Sequence, residues 1–173
     1  MKVSAAIPDT TKLTEKLEQS FTDFVNLVSL FTTSQINEVP FAGSWTAGQV
    51  AQHIIKATAG IPDSQIKKTG RPYDEQVEKL KVLFLNMEIK MKAPDFIIPE
   101  EKQYDRNELL KELEVNKLYL TSIINCKPLD EACMDFEFPT FGFLTRYEWI
   151  QFILFHVQRH TIQLKNILST HKK

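Results

Sequence analysis

The stretch Thr145-Arg146-Tyr147-Glu148-Trp149-Ile150-Gln151-Phe152-Ile153-Leu154-Phe155-His156-Val157-Gln158-Arg159-His160-Thr161-Ile162-Gln163-Leu164 decides the fold. Within it and just beyond, Trp149, Ile153, His156, His160, Leu164 and Ile167 recur at three- and four-residue steps, which lines them along one face of a helix. Thr145 followed three positions later by Glu148 is a capping-box pattern, so the spacing predicts a helix from about 145 to about 168. At 1.5 Å per residue such a helix is roughly 36 Å long, enough to traverse a small domain. A stripe of that length needs other helices to cover it.

Those helices can be read outward from it. The eight prolines, at 8, 40, 62, 72, 94, 99, 128 and 139, act as punctuation between helically spaced segments. Between Pro8 and Pro40, Leu13, Leu17, Phe21, Phe24, Val28 and Phe31 define one long helix face. Thr46 with Gln49 caps a second helix whose inward stripe is Val50, His53, Ile54 and Ala57, interrupted at Gly60 and Pro62. Residues 73–92 carry Val77, Leu80, Phe84, Met87 and Met91 as an additional, more amphipathic helical segment. The proline-bracketed stretch 93–99 is predicted to run extended over the core as a linker. Asp105 with Glu108 opens another helix, with Leu109, Leu113, Asn116, Leu120 and Ile123 on one face and Cys126-Lys127-Pro128 as its stop. Phe136, Phe138, Phe141 and Phe143 fall in a loop or short extended segment that is expected to close one end of the core. With five glycines and no useful strand alternation, the reading is all-α, an antiparallel helix bundle.

Composition narrows the class. A chain of 173 residues with 43% hydrophobic content supplies one core, so a single domain over 1–173 is expected. Twenty-one basic side chains against twenty-two acidic ones leave a net charge of -1, which provides no field for nucleic acid. Apolar runs stop at four residues, as in Val82-Leu83-Phe84-Leu85, against the roughly 20 that a membrane helix needs. Residues 1–8 show no apolar leader segment, so a soluble, cytoplasmic protein without membrane or nucleic-acid partners is expected. Cys126 and Cys133 are too few for a disulfide framework, and neither has the adjacent basic pair and histidine that would mark an activated thiol.

Of the four histidines, His156 and His160 sit one above the other on their helix, and His53 lies on the apolar seam of the second helix. His171 falls in a Lys-rich tail with Lys172 and Lys173. Two readings stand side by side. The three seam imidazoles are core histidines bonded to neighbours, or they converge as ligands. Burying three of them leaves several nitrogens to satisfy, at about 1–3 kcal/mol for each one left unpaired. One divalent cation would satisfy all three. Three protein nitrogens with an open fourth position are the layout of a catalytic rather than a structural metal site. Imidazole donors suit Zn, Ni, Fe or Cu.

The segment Gly43-Ser44-Trp45-Thr46-Ala47-Gly48-Gln49-Val50-Ala51-Gln52-His53-Ile54, taken with Leu144 to Phe152 and His156-Val157-Gln158-Arg159-His160-Thr161-Ile162-Gln163-Leu164, resembles the DinB-like (DinB/YfiT) superfamily. The likeness covers about residues 10–168. One departure is visible: many relatives carry Gly before the Gln after the last histidine, whereas Thr161-Ile162 stands between His160 and Gln163 here. The resemblance implies an up-down-down-up four-helix bundle, often a homodimer, with a divalent metal held by His53, His156 and His160. It also implies a small-molecule substrate and either metal-dependent hydrolysis or S-transfer with a low-molecular-weight thiol of the bacillithiol or mycothiol type.

Three neutral imidazoles leave a bound cation its full charge, so its fourth ligand should be acidified. A water there would become a hydrolytic nucleophile and a thiol a thiolate, and the same residues serve both. A non-catalytic helical binding module with structural histidines is the competing class. Gln49, Gln52 and Gln163 lie within about a turn of the histidines and either orient an imidazole N–H or a substrate, or occupy ordinary boundary positions. Arg159 either grips a substrate carboxylate or pairs with a neighbouring helix. Trp45 and Trp149 read as packing.

Overall fold

In the computed structural model, which describes residues 8–171, five helices form: α1 (Thr10–Ser29), α2 (Ala47–Thr58), α3 (Val77–Leu85), α4 (Arg106–Cys126) and α5 (Arg146–Thr170). The leader reading of residues 1–8, apart from Pro8, and the Lys172–Lys173 tail lie outside the described residues. The helix starts follow the chemistry of their caps. Thr46 and Thr145 each accept a hydrogen bond from the backbone N–H three residues on, and the Gln49 and Glu148 side chains in turn accept one from the cap N–H. Asp105 accepts from the Glu108 N–H at 3.0 Å and opens α4. These bonds satisfy donors that the first turn otherwise leaves unpaired.

Contacts at the helix ends set the directions. Arg106, which opens α4, donates to the Phe31 carbonyl just past α1 at 2.9 Å, so α1 and α4 run antiparallel. His171, which closes α5, stands edge-on to the same Phe31 at 6.0 Å, so α5 runs parallel to α1. Gly48 at the start of α2 lies against Tyr104, and Asn116 of α4 donates to the Ile55 carbonyl near the end of α2 at 2.8 Å. Thus α2 and α4 run parallel, and the order is up-down-down-up. A Cβ at position 48 would come within 2.7 Å of the Tyr104 ring, so only glycine lets α2 approach there. Both α1 and α2 pack against α4 and α5, while α3 lies on the outer side of α5. That crowding buries α5 on every side from Glu148 to Val157.

Several expectations are corrected. The third helix is confined to Val77–Leu85, and Met87 and Met91 lie outside it, 41% and 38% exposed. Asn86 leaves the helix with extended backbone, its side chain accepting from the Glu88 N–H at 3.0 Å. The proline-bracketed linker is not simply extended, because Asp95–Ile97 forms a 3-10 turn that buries Ile97. Helix α1 stops at Ser29, and Phe31 enters the core from the segment beyond it. A ribbon of β1 (Ile66–Lys68) and β2 (Glu131–Cys133) pairs antiparallel, with Lys67 opposite Ala132. Strands of three residues are too short to show a period of two. The fourth histidine, His171, packs against the bundle, its side chain 7% exposed and 3.7 Å from the Glu38 carboxylate.

Candidate metal centre

His53 comes from the middle of α2, and His156 and His160 from successive turns of α5. Antiparallel packing of these two helices brings the three together, with one ring nitrogen from each all within 4.8 Å of one another. His53 Nε2 lies 3.0 Å from His156 Nε2. The other nitrogen of His53, Nδ1, is 2.9 Å from the Ile97 carbonyl. A carbonyl only accepts, so Nδ1 carries the hydrogen and Nε2 presents its lone pair. Gln163 does the same for His160, its Oε1 lying 2.6 Å from Nδ1. An acceptor behind the ring that fixes the donor nitrogen in front is the usual second layer of a histidine metal site.

The electrostatics keep these rings unprotonated. Burial lowers the pKa of His53 despite the opposing pull of the Ile97 carbonyl. Burial holds His156 well below the ordinary imidazole value, helped by its neighbours His160 and His53. His160 is pushed down to about 3, first by burial and then by His53. Neutral imidazoles are metal ligands, and imidazolium is not.

The donor set fits a divalent cation. Metal–nitrogen distances of about 2.0–2.1 Å place two tetrahedral imidazole nitrogens about 3.3 Å apart, close to the 3.0 Å between His53 and His156. His156 Nδ1, on the side of the ring away from His53, is buried with no hydrogen-bond partner among the described residues, so this ring lacks the fixed acceptor that His53 and His160 have. Aromatic faces surround the group. Trp45 lies 5.1 Å from His53, and Phe152 and Phe84 lie 5.3 Å and 5.8 Å from His156.

Of the four polar candidates read from the sequence, Gln163 alone bonds a triad ring. Gln49 is held by its own helix cap, accepting from the Thr46 N–H at 2.9 Å. Gln52 Oε1 accepts from the Glu100 N–H at 2.6 Å and the Tyr104 hydroxyl at 2.7 Å. It therefore anchors the segment that carries the Ile97 carbonyl, alongside Lys56, which donates to the Ile98 carbonyl at 2.8 Å. Arg159 is not free for a substrate carboxylate. Its guanidinium donates to the carbonyls of Phe84, Asn86 and Ile89 at 3.1, 2.8 and 2.6 Å, where α3 ends. Sequence reasoning missed the Ile97 carbonyl, because a backbone acceptor has no letter of its own. The nearest signal was the proline bracket that returns residues 93–99 to the bundle.

Comparison with known proteins places this arrangement. The model of the DinB superfamily matches residues 16–164. The chain is 27% identical over 135 residues to the uncharacterized protein YuaE of Bacillus subtilis strain 168, covering 77% of this chain and 83% of that one. The fold is similar to that of YfiT from Bacillus subtilis, with a TM-score of 0.63 and 15% identity over 99% of this chain and 94% of that one. YfiT is described as a probable metal-dependent hydrolase with an unusual four-helix bundle topology.

Proposed function

The chain belongs to the DinB superfamily, and from that premise we propose that it is a metal-dependent hydrolase acting on a small molecule at a centre held by His53, His156 and His160. The observation that carries the reading is the paired orientation of His53 and His160. Each donates Nδ1–H to a fixed acceptor, Ile97 or Gln163, and so turns Nε2 toward the common point. When bound there, a divalent ion supplies Lewis acidity and brings the pKa of an added water toward about 7. The chain's own part is to hold three uncharged donors, keep the tautomers of His53 and His160 fixed and shield the group with the Trp45, Phe84 and Phe152 rings. The description of YfiT as a metal-dependent hydrolase supports the reaction class.

Elemental analysis of protein purified without chelator tests the centre. About one equivalent of a transition metal is expected in the unmodified protein and under about a tenth after His156→Ala. Less than a tenth in both, after reconstitution with Zn, Ni and Fe, removes the proposal. A panel of esters and amides, run with and without low-molecular-weight thiols, then tests the reaction. Thiol-independent turnover is expected, and strict thiol dependence would reassign the centre to S-transfer.

A further inference from the structure

The aromatic side chains beside the triad form a series of packed rings that ends at an exposed one. Phe152 and Phe84 touch His156, and Phe138 lies against both of them, at 5.0 Å and 6.2 Å between ring centroids. Phe136 lies 6.4 Å beyond Phe138, and Phe96 lies 6.0 Å beyond Phe136. Phe96 is 66% exposed, and Phe136 and Phe138 are partly exposed. These rings therefore do not behave as a sealed end of the core.

Phe136 and Phe138 belong to a hairpin hung between two anchors. Before it, the Asp135 carboxylate accepts from the Ser64 and Gln65 N–H groups at 2.6 and 3.0 Å. After it, Arg71 donates to the Phe143 carbonyl at 3.0 Å. Between these points the backbone hydrogen bonds found among the described residues, joining Phe138 with Phe141 and Gly142, are internal to the hairpin. Thr140 and Gly142 both have positive φ, at 69° and 74°, as a tight reversal requires. Between its two anchors the hairpin thus leans on the bundle through ring faces and not through a backbone ladder.

An independent observation points to a ligand. Trp149 packs on Phe136, Phe138 and Phe152, is 8% exposed, and its Nε1–H has no hydrogen-bond partner among the described residues. A buried indole N–H normally finds an acceptor. We propose that the Phe136–Gly142 hairpin is an aromatic flap, and that the centre takes a substrate whose aryl group enters among Phe96, Phe136 and Phe138 while one of its oxygens accepts from Trp149 Nε1–H. This deepens the hydrolase reading, on which the word substrate rests, by giving the substrate class as aryl esters or amides.

The test compares two probes on the full chain, metal-free and zinc-loaded: naphthalene-2-carboxamide and butyramide. Binding is followed by the indole N–H resonance of Trp149, identified by its loss in Trp149→Phe. The carboxamide is expected to shift that resonance and to bind at least about tenfold more tightly than the alkyl amide. Phe96→Ser, at an exposed position that does not threaten folding, should weaken it about three- to tenfold at unchanged zinc content, and Phe138→Ala should do the same. The proposal is overturned if neither probe binds, if butyramide binds equally well, if the indole signal does not move, or if neither variant weakens binding. Carboxamide binding that persists in protein unable to load zinc would remove the metal reading and leave the aryl site standing.

Discussion

Gln163 reaches back one turn along α5 and takes the His160 Nδ1 hydrogen at 2.6 Å. Without it the ring can rotate or exchange tautomers, and the Nε2 lone pair is no longer held toward His53. Gln163→Leu is expected to lower metal affinity about 10–100-fold, with Gln163→Glu restoring most of it, as read by competition against a chromogenic chelator. An unchanged affinity in the leucine variant would show that the contact does not orient the ligand. The partner of His53 has a different legibility. Three histidines on two apolar seams can be picked out by spacing alone, because each occupies a position where a core residue is due. The Ile97 carbonyl that orients one of them depends on where a proline-bracketed segment lands, which no local period encodes.

At the scale of elements, Glu148 fastens the start of α5 to the loop before α3. Its carboxylate is fully buried and accepts from Arg71 at 2.6 and 2.7 Å, from the Gln76 N–H at 2.8 Å and from the Thr145 N–H at 2.9 Å. It closes the capping box of α5 while tying down the loop before α3. Glu148→Gln removes the charge that compensates Arg71, whose side chain is about a quarter exposed. Solvent access to Arg71 moderates the loss, which should be about 2–4 kcal/mol in urea unfolding, with metal content unchanged. A loss below about 0.5 kcal/mol would mean the network is not held in solution. The capping-box spacing of Thr145 and Glu148 was readable, whereas its use by Arg71, 77 residues away, was not. The same limit explains α3. Helical spacing continues through Met87 and Met91, but Asn86 turns the chain out and Arg159 collects the freed carbonyls. Local periodicity therefore reads past a helix end set by a distant guanidinium.

For the molecule as a whole, the triad makes stability depend on pH. All three imidazoles have lowered pKa values in the folded chain. Below about 6.5 the unfolded chain binds protons that the folded one refuses, so the unfolded state gains as pH falls. Metal-free protein should lose stability from about pH 6.5 downward, with a limiting slope of about 1.4 kcal/mol per pH unit for each histidine, and these groups should contribute no slope above about pH 7.5. Urea midpoints across that range check the sign, and His156→Gln should flatten the profile. A midpoint that rises on acidification would contradict the burial of neutral rings. The bundle itself was legible because its helices carry their own stripes and caps. The packing order was available only through family resemblance, since spacing says which face is apolar and not which helix covers it.

That order bears on how the chain is made. Its first helix, α1, lies parallel to its last, α5, and the partner of His53 arrives on that last helix. During synthesis, α1, α2 and α4 leave the ribosome with the trench between them still open to water, because the segment that fills it begins only at Arg146. At about 5–20 residues per second, the nascent chain carries that exposed trench for several seconds after α4 is complete. Native closure must wait for the C-terminal helix, so a transcript cut short before it would release a chain with an unfilled core.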